Sequence, residues 1–167
     1  MRIDVHVALR QAETIRAAAL KQAALAALDV ARVRRAAALT IVIAGDATLR
    51  KLNREFLGID APTDVLSFPT ARSGTSAEQK EYLGDVILSL ARAKAQAKQG
   101  GHPLVDELRL LVIHGVLHLL GYDHDTPERQ RRMWSAQARA LRKVNASIEG
   151  PATLSIEIRA HTLNLTL

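Results

Sequence analysis

Residues 103 to 120, "PLVDELRLLVIHGVLHLL", are apolar nearly all the way round at helical spacing. A helix without a polar face has to be enclosed, so this segment is expected to run through the middle of a domain with other elements around it. Its end overlaps "HGVLHLLGYDH", residues 114 to 124, which carries three imidazoles into that interior. Polar rings taken out of water need partners.

The rest of the chain supplies the elements to enclose it. "RIDVHVALR" places Ile3, Val5, Val7 and Leu9 on one face at period two, the pattern of a half-buried strand. Residues 11 to 29 are rich in Ala, Leu and Gln and read as a helix. "LTIVIA" (39 to 44) is a short apolar strand, after which Asp46 is expected to cap a helix to about Phe56. Gly58 and Pro62 break the chain, "TDVLSFP" reads as a strand stopped by Pro69, and "YLGDVILS" as another beyond a polar loop at 70 to 81. Ser89 can cap a short helix ending at Gly100 and Gly101, and Thr126 followed by Pro127 starts a last helix to about Val144. This order predicts one small α/β (α+β) domain over residues 1 to 148, with a mixed β-sheet packed by helices. The tail, residues 149 to 167, alternates like a possible extra strand. There is no internal repeat.

Composition limits the partners. No apolar run approaches the roughly 20 residues of a membrane span, and "MRIDVHVALR" alternates where a secretory leader would be continuously apolar, so a cytoplasmic home is expected. With no cysteine, a metal site must use histidine and carboxylate. A net charge of +6 suits a phosphate-rich partner, although scattered, solvated basic residues would give the same sum. Aromatic residues are only 3%, which argues against a base-stacking platform; nucleic acid would be met through charge and shape.

His114 and His118 are four apart and share a helix face, with Cβ atoms about 5–6 Å apart. Two imidazoles so placed can reach one ion at about 2.0–2.1 Å each. Gly121 follows where a left-handed cap would reverse the chain and return His124 to the other two. Without that turn His124 would lie about 9 Å further along the axis. One histidine in such a helix reads as a core residue bonded to backbone or carboxylate; three with the glycine in place read as a ligand set. The three histidines and the glycine coincide with the metzincin pattern H-E-x-x-H-x-x-G-x-x-H, but Gly115 stands where the general-base glutamate would be. Peptidase chemistry by that route is therefore not expected. Three neutral nitrogens leave a fourth position open, as catalytic sites do; one Zn2+ per chain is the first choice, and other transition metals also suit imidazole. Asp123 and Asp125 flank His124; they can orient a ligand ring, Asp123 can act as a base, or both can be plain turn and capping residues.

"HGVLHLLGYDH" together with "LN" at 52 and 53, "PTDVLSFP" and "LGDVILS" resembles the YbeY family of bacterial endoribonucleases, rRNA maturation factors, over about residues 35 to 145. The resemblance implies an α/β fold with a distantly metzincin-like metal site whose ligands are His114, His118 and His124. It also implies single-strand-specific, metal-dependent cleavage in maturation of small-subunit ribosomal RNA and in ribosome quality control. The partners it implies are ribosomal RNA, the small ribosomal subunit and the GTPase Era. Many members carry an arginine just after the aromatic of the "LN" helix; in "LNREFLGIDAPTD" that place holds Leu57, which cannot bind phosphate. Arg54, one turn earlier, is the available substitute. The alternative function is a metal-stabilised ribosome assembly factor with little or no nuclease activity. Along the last helix, Arg129, Arg132, Arg139 and Lys143 form a basic stripe that would either track phosphates or be a solvated face opposite Met133, Trp134 and Leu141.

Overall fold

Strand alternation assigns two faces to a four-stranded sheet in the computed structural model, which describes residues 3–7, 15–34, 36–70 and 81–148. The strands are β1 (Asp4–Val7), β2 (Ala38–Ala44), β3 (Val65–Pro69) and β4 (Tyr82–Ser89), in the spatial order β1-β2-β4-β3. β1, β2 and β4 run parallel, and β3 is antiparallel to β4, so the expected mixed sheet is present. Ile41 pairs with Val86 and Ile43 with Leu88, while Ser67 stands opposite Val86 and Val65 opposite Leu88. These residues share one buried face, and all but Ser67 belong to the main core. Leu66, Phe68 and Ile87 alternate onto the other face.

The helices divide between those faces. α1 (Ala17–Val30), α3 (Leu90–Gly100), α4 (Leu104–Leu119) and α5 (Pro127–Lys143) contribute to the main core. α4 is its centre, buried from Asp106 through Leu119 except at Arg109, as a helix apolar nearly all round must be. Ala23, Ala24 and Ala27 on α1 are fully buried, and their small side chains let α1 lie close against α4. α2 (Asp46–Leu57) covers the second face, where Leu49 and Leu66 are buried beside Leu52, Leu57, Phe68 and Ile87.

Several boundaries differ from the sequence reading. The first helix begins at Ala17 with Arg16 as its N-cap; residues 11–14 of the expected span lie outside the described residues. Asp46 is the first helical residue, with Gly45 as N-cap, because the Asp46 carboxylate instead accepts the Ser89 hydroxyl from the end of β4. Its charge still favours the helix N-terminus. α2 ends one residue later than expected, closed by Gly58 at φ +71°. Ser89 and Thr126 do cap α3 and α5, accepting from Arg92 N and Arg129 N at 3.2 and 3.3 Å. Asn53, buried on α2, donates to the Ala61 carbonyl at 2.8 Å and shapes the turn before β3. The polar loop at 71–80 and the tail at 149–167, with its possible extra strand, lie outside the described residues.

Candidate metal centre

Three devices bring the imidazoles together. The first is a close approach of α4 to the sheet. A Cβ on Gly115 would stand 2.5 Å from Val86 Cγ1 and 3.1 Å from Ser67 Oγ. Only glycine lets the helix sit this low, and the Ser67 hydroxyl then donates to the Gly115 carbonyl at 3.1 Å. The residue that replaces the protease glutamate is therefore a contact between helix and sheet, with no room for a carboxylate.

The second device is the end of α4. Gly121 N donates to the His118 carbonyl at 2.9 Å and Tyr122 N to the Leu117 carbonyl at 3.0 Å, the paired bonds of a Schellman cap. Gly121 sits at φ +85°, the left-handed conformation expected for it. The turn returns His124 to the other two rings.

The third device was not read from the sequence. Gln137 of α5 is 1% exposed, and its Oε1 lies 3.1 Å from His114 Nδ1. An N–H donated there leaves Nε2 of His114 unprotonated and facing His118. The available signal was an amide inside the apolar stripe formed by Met133, Ala136, Ala140 and Leu141, where a polar side chain needs a buried partner.

Nitrogen atoms of His114, His118 and His124 all lie within 4.8 Å of one another. The two Nε2 atoms of His114 and His118 are 3.0 Å apart. Ligands at about 2.0–2.1 Å from one tetrahedral ion would stand about 3.3 Å apart, so the spacing fits a shared metal. Burial and the neighbouring His118 push His114 down to about 3, and burial and His124 push His118 down to about 4. Both rings are thus neutral near pH 7, as ligands must be. His114 and His118 are buried while His124 is half-buried, so the centre opens to solvent on the His124 side.

The other candidate residues are distributed unequally. Asp123 is at the site: its Oδ1 accepts the His124 backbone N–H at 2.8 Å, and its charge acts on the His118 ring. Asp125 is turned to Arg129, which it binds through both oxygens at 2.9 and 2.8 Å. Leu57 packs in the α2-side apolar cluster, and Arg54 is exposed on the same helix, 4.0 Å from Asp60. Neither is brought to the imidazoles in any described contact. The basic stripe of α5 is also split: Arg129 pairs with Asp125, Arg132 lies over the Tyr122 ring at 4.9 Å, and Lys143 pairs with Asp29 at 2.9 Å.

Comparison with known families matches residues 5–145 to the family described as Endoribonuclease YbeY. The chain belongs to this family. An Endoribonuclease YbeY from Roseiflexus sp. is 38% identical over 152 residues, covering 88% of this chain and 95% of that protein. The Endoribonuclease YbeY of Gloeobacter violaceus is 44% identical over 121 residues, 71% of this chain and 62% of the relative's length. The solution structure of TM1509 from Thermotoga maritima has a TM-score of 0.56 at 22% identity, covering 86% of this chain and 89% of that one, and so shares its fold. Among the described residues of this YbeY-family chain no helix is long and apolar enough to cross a membrane.

Proposed function

We propose that this chain is a metal-dependent, single-strand-specific endoribonuclease acting in maturation of small-subunit ribosomal RNA and in ribosome quality control. The observation that carries the metal dependence is the convergence of three imidazoles on one point, open on one side. His114, His118 and His124 would hold the ion, zinc by first choice for an all-nitrogen, roughly tetrahedral donor set. A bound ion supplies Lewis acidity toward a phosphoryl oxygen.

The chain's own residues do the rest. Gln137 holds the His114 ring in the required tautomer and orientation. Asp123, half-buried beside His124, is the carboxylate placed to take a proton at the open side. Arg129 Nη1 lies 3.8 Å from Asp123 Oδ2 and sets a cation at the same rim. Arg54, the other candidate, lies on α2 beside Asp60 and has no described contact with the imidazoles.

The relatives in Roseiflexus sp. and Gloeobacter violaceus are endoribonucleases by name, which supports RNA as the substrate. The reading extends to the small ribosomal subunit and the GTPase Era as partners in the cytoplasm. One observation favours the assembly-factor alternative: where the resemblance implies an arginine, Leu57 is packed among apolar side chains. Metal analysis, combined with cleavage of single-stranded RNA with and without chelator, tests both. Metal-dependent cleavage lost in His118→Ala supports the nuclease. Metal bound without cleavage assigns the assembly factor, and a metal-free purified protein removes the active-site argument.

A further inference from the structure

Away from the metal centre, the ends of α1 and α5 meet in an open groove. It is lined by Arg32, Arg34, Arg139, Arg142 and Lys143, together with Asp29. The one carboxylate is engaged by Lys143 at 2.9 Å. All four arginines are exposed, and among the described residues none of them has an ion pair within 4.0 Å. Four guanidinium groups without an ion pair thus line one groove, and of these Arg34 acts on Asp29 at longer range.

Helix ends account for part of this concentration. A helix C-terminus favours a cation in its last turn, and that explains Arg142 and Lys143 on α5. The end of α1 favours Arg32 in the same way: at φ +56° it closes a Schellman cap, with Arg32 N donating to the Asp29 carbonyl at 2.9 Å and Val33 N to the Leu28 carbonyl at 3.0 Å. Arg139, more than a turn inside α5, and Arg34 are left, and like charges gathered on one groove attract an anionic partner.

The groove is distinct from the metal centre. At 100° per residue, Arg139 and Arg142 lie about 200° and 140° round α5 from Gln137, which touches His114. α5, about 10–12 Å across with its side chains, separates the two.

We propose that this groove is a docking surface for the phosphate backbone of single-stranded RNA, held while another part of the same strand reaches the metal centre. The proposal rests on the reading of RNA as substrate. Guanidinium forks suit bidentate contacts to phosphate oxygens, and the groove has no aromatic lining for stacked bases. Binding there is accordingly governed by charge and indifferent to base sequence. A strand of about 20 nucleotides, at about 3.4 Å each, is long enough to pass round α5 and reach both.

The test uses the full chain and a fluorescein-labelled 2′-O-methyl oligouridylate of about 20 nucleotides, read by anisotropy from about 50 to 200 mM salt. The variant Arg32→Gln/Arg34→Gln/Arg139→Gln/Arg142→Gln is expected to bind at least about tenfold more weakly at the low-salt end. Its log-log salt dependence should be shallower by about 3, because each single-strand phosphate contact contributes about 0.7. Lysine at the same four positions should keep the wild-type slope, and circular dichroism checks that both variants fold. An unchanged slope in the glutamine variant overturns the proposal, as does equal loss in the lysine variant. Equally tight wild-type binding to polyglutamate overturns the assignment to RNA. A wild-type chain that binds the oligomer through this groove but cleaves no RNA leaves the docking surface standing and removes the nuclease reading.

Discussion

Gly115→Ala tests the close approach of α4 to the sheet, and its sign depends on one neighbour. The added Cβ would stand 2.5 Å from Val86 Cγ1 and 3.2 Å from Val86 Cγ2. Carbon atoms settle at about 3.5–4.0 Å, so either Val86 or the helix must yield by about 1 Å. Val86 is fully buried and has nowhere to go. Overpacking of this kind costs about 1–3 kcal/mol, against a gain of about 1 kcal/mol from replacing a mid-helix glycine. The net expectation is a destabilisation of up to about 2 kcal/mol. In a Val86→Ala background both Cγ atoms are gone, so the helix gain remains without most of the clash. There Gly115→Ala should stabilise by up to about 1 kcal/mol. Urea unfolding of the four proteins in chelator measures the cycle, with an expected coupling of about 1–3 kcal/mol. If Gly115→Ala has the same effect in both backgrounds, helix and sheet are not in contact there, and the account of why glycine replaces the protease glutamate fails.

Gln137→Leu removes the acceptor for His114 Nδ1 and should weaken metal binding by about 10- to 100-fold, measured by competition with a chelator; unchanged affinity would show that Gln137 does not orient the ring. Gly121→Val has open space around the new Cβ, so its cost is backbone strain alone, about 1–2 kcal/mol, accompanied by weaker metal binding as the turn carrying His124 shifts; a folded variant with full affinity would refute the turn's role. In metal-free protein, His114 and His118 are held at about 3 and about 4, below the ordinary 6.5. Between those values the unfolded chain binds protons that the folded chain refuses, so their stabilisation is complete above pH 6.5 and is lost as pH falls toward 4. About 3 kcal/mol should disappear between pH 7 and 5, an amount missing from a folded His114→Asn/His118→Asn variant; the same pH slope in both would disprove the assignment. Leu57→Arg places a guanidinium in the α2-side apolar cluster and should cost about 1–3 kcal/mol without accelerating RNA cleavage; cleavage tenfold faster would show that the cation reaches the scissile phosphate.

The sequence by itself determined the elements whose signals are local. The all-apolar period of residues 104–119 required a central helix, and the i, i+4 histidines followed by glycine required a shared face and a reversal. Ser89 and Thr126 announced two helix starts because a cap is a bond between residues three apart. Asp46 looked like a third, but its carboxylate is taken by Ser89, 43 residues away, and no local pattern records that bond. Gln137 and His114 are 23 residues apart, and Gly115 meets Val86 only after α4 has docked on the sheet. Arg54 and Leu57 fall close to the "PTDVLSFP" segment in the chain, yet the alternation of Leu66 and Ser67 sends the strand's two faces to opposite helices. Tertiary packing likewise dissolved the basic stripe of α5, pairing Arg129 and Lys143 with carboxylates and joining Arg139 to Arg32 and Arg34 across the chain. Period and spacing fix which side chains share a face; which faces meet is decided by burying apolar area, a sum over the whole chain that no short segment contains.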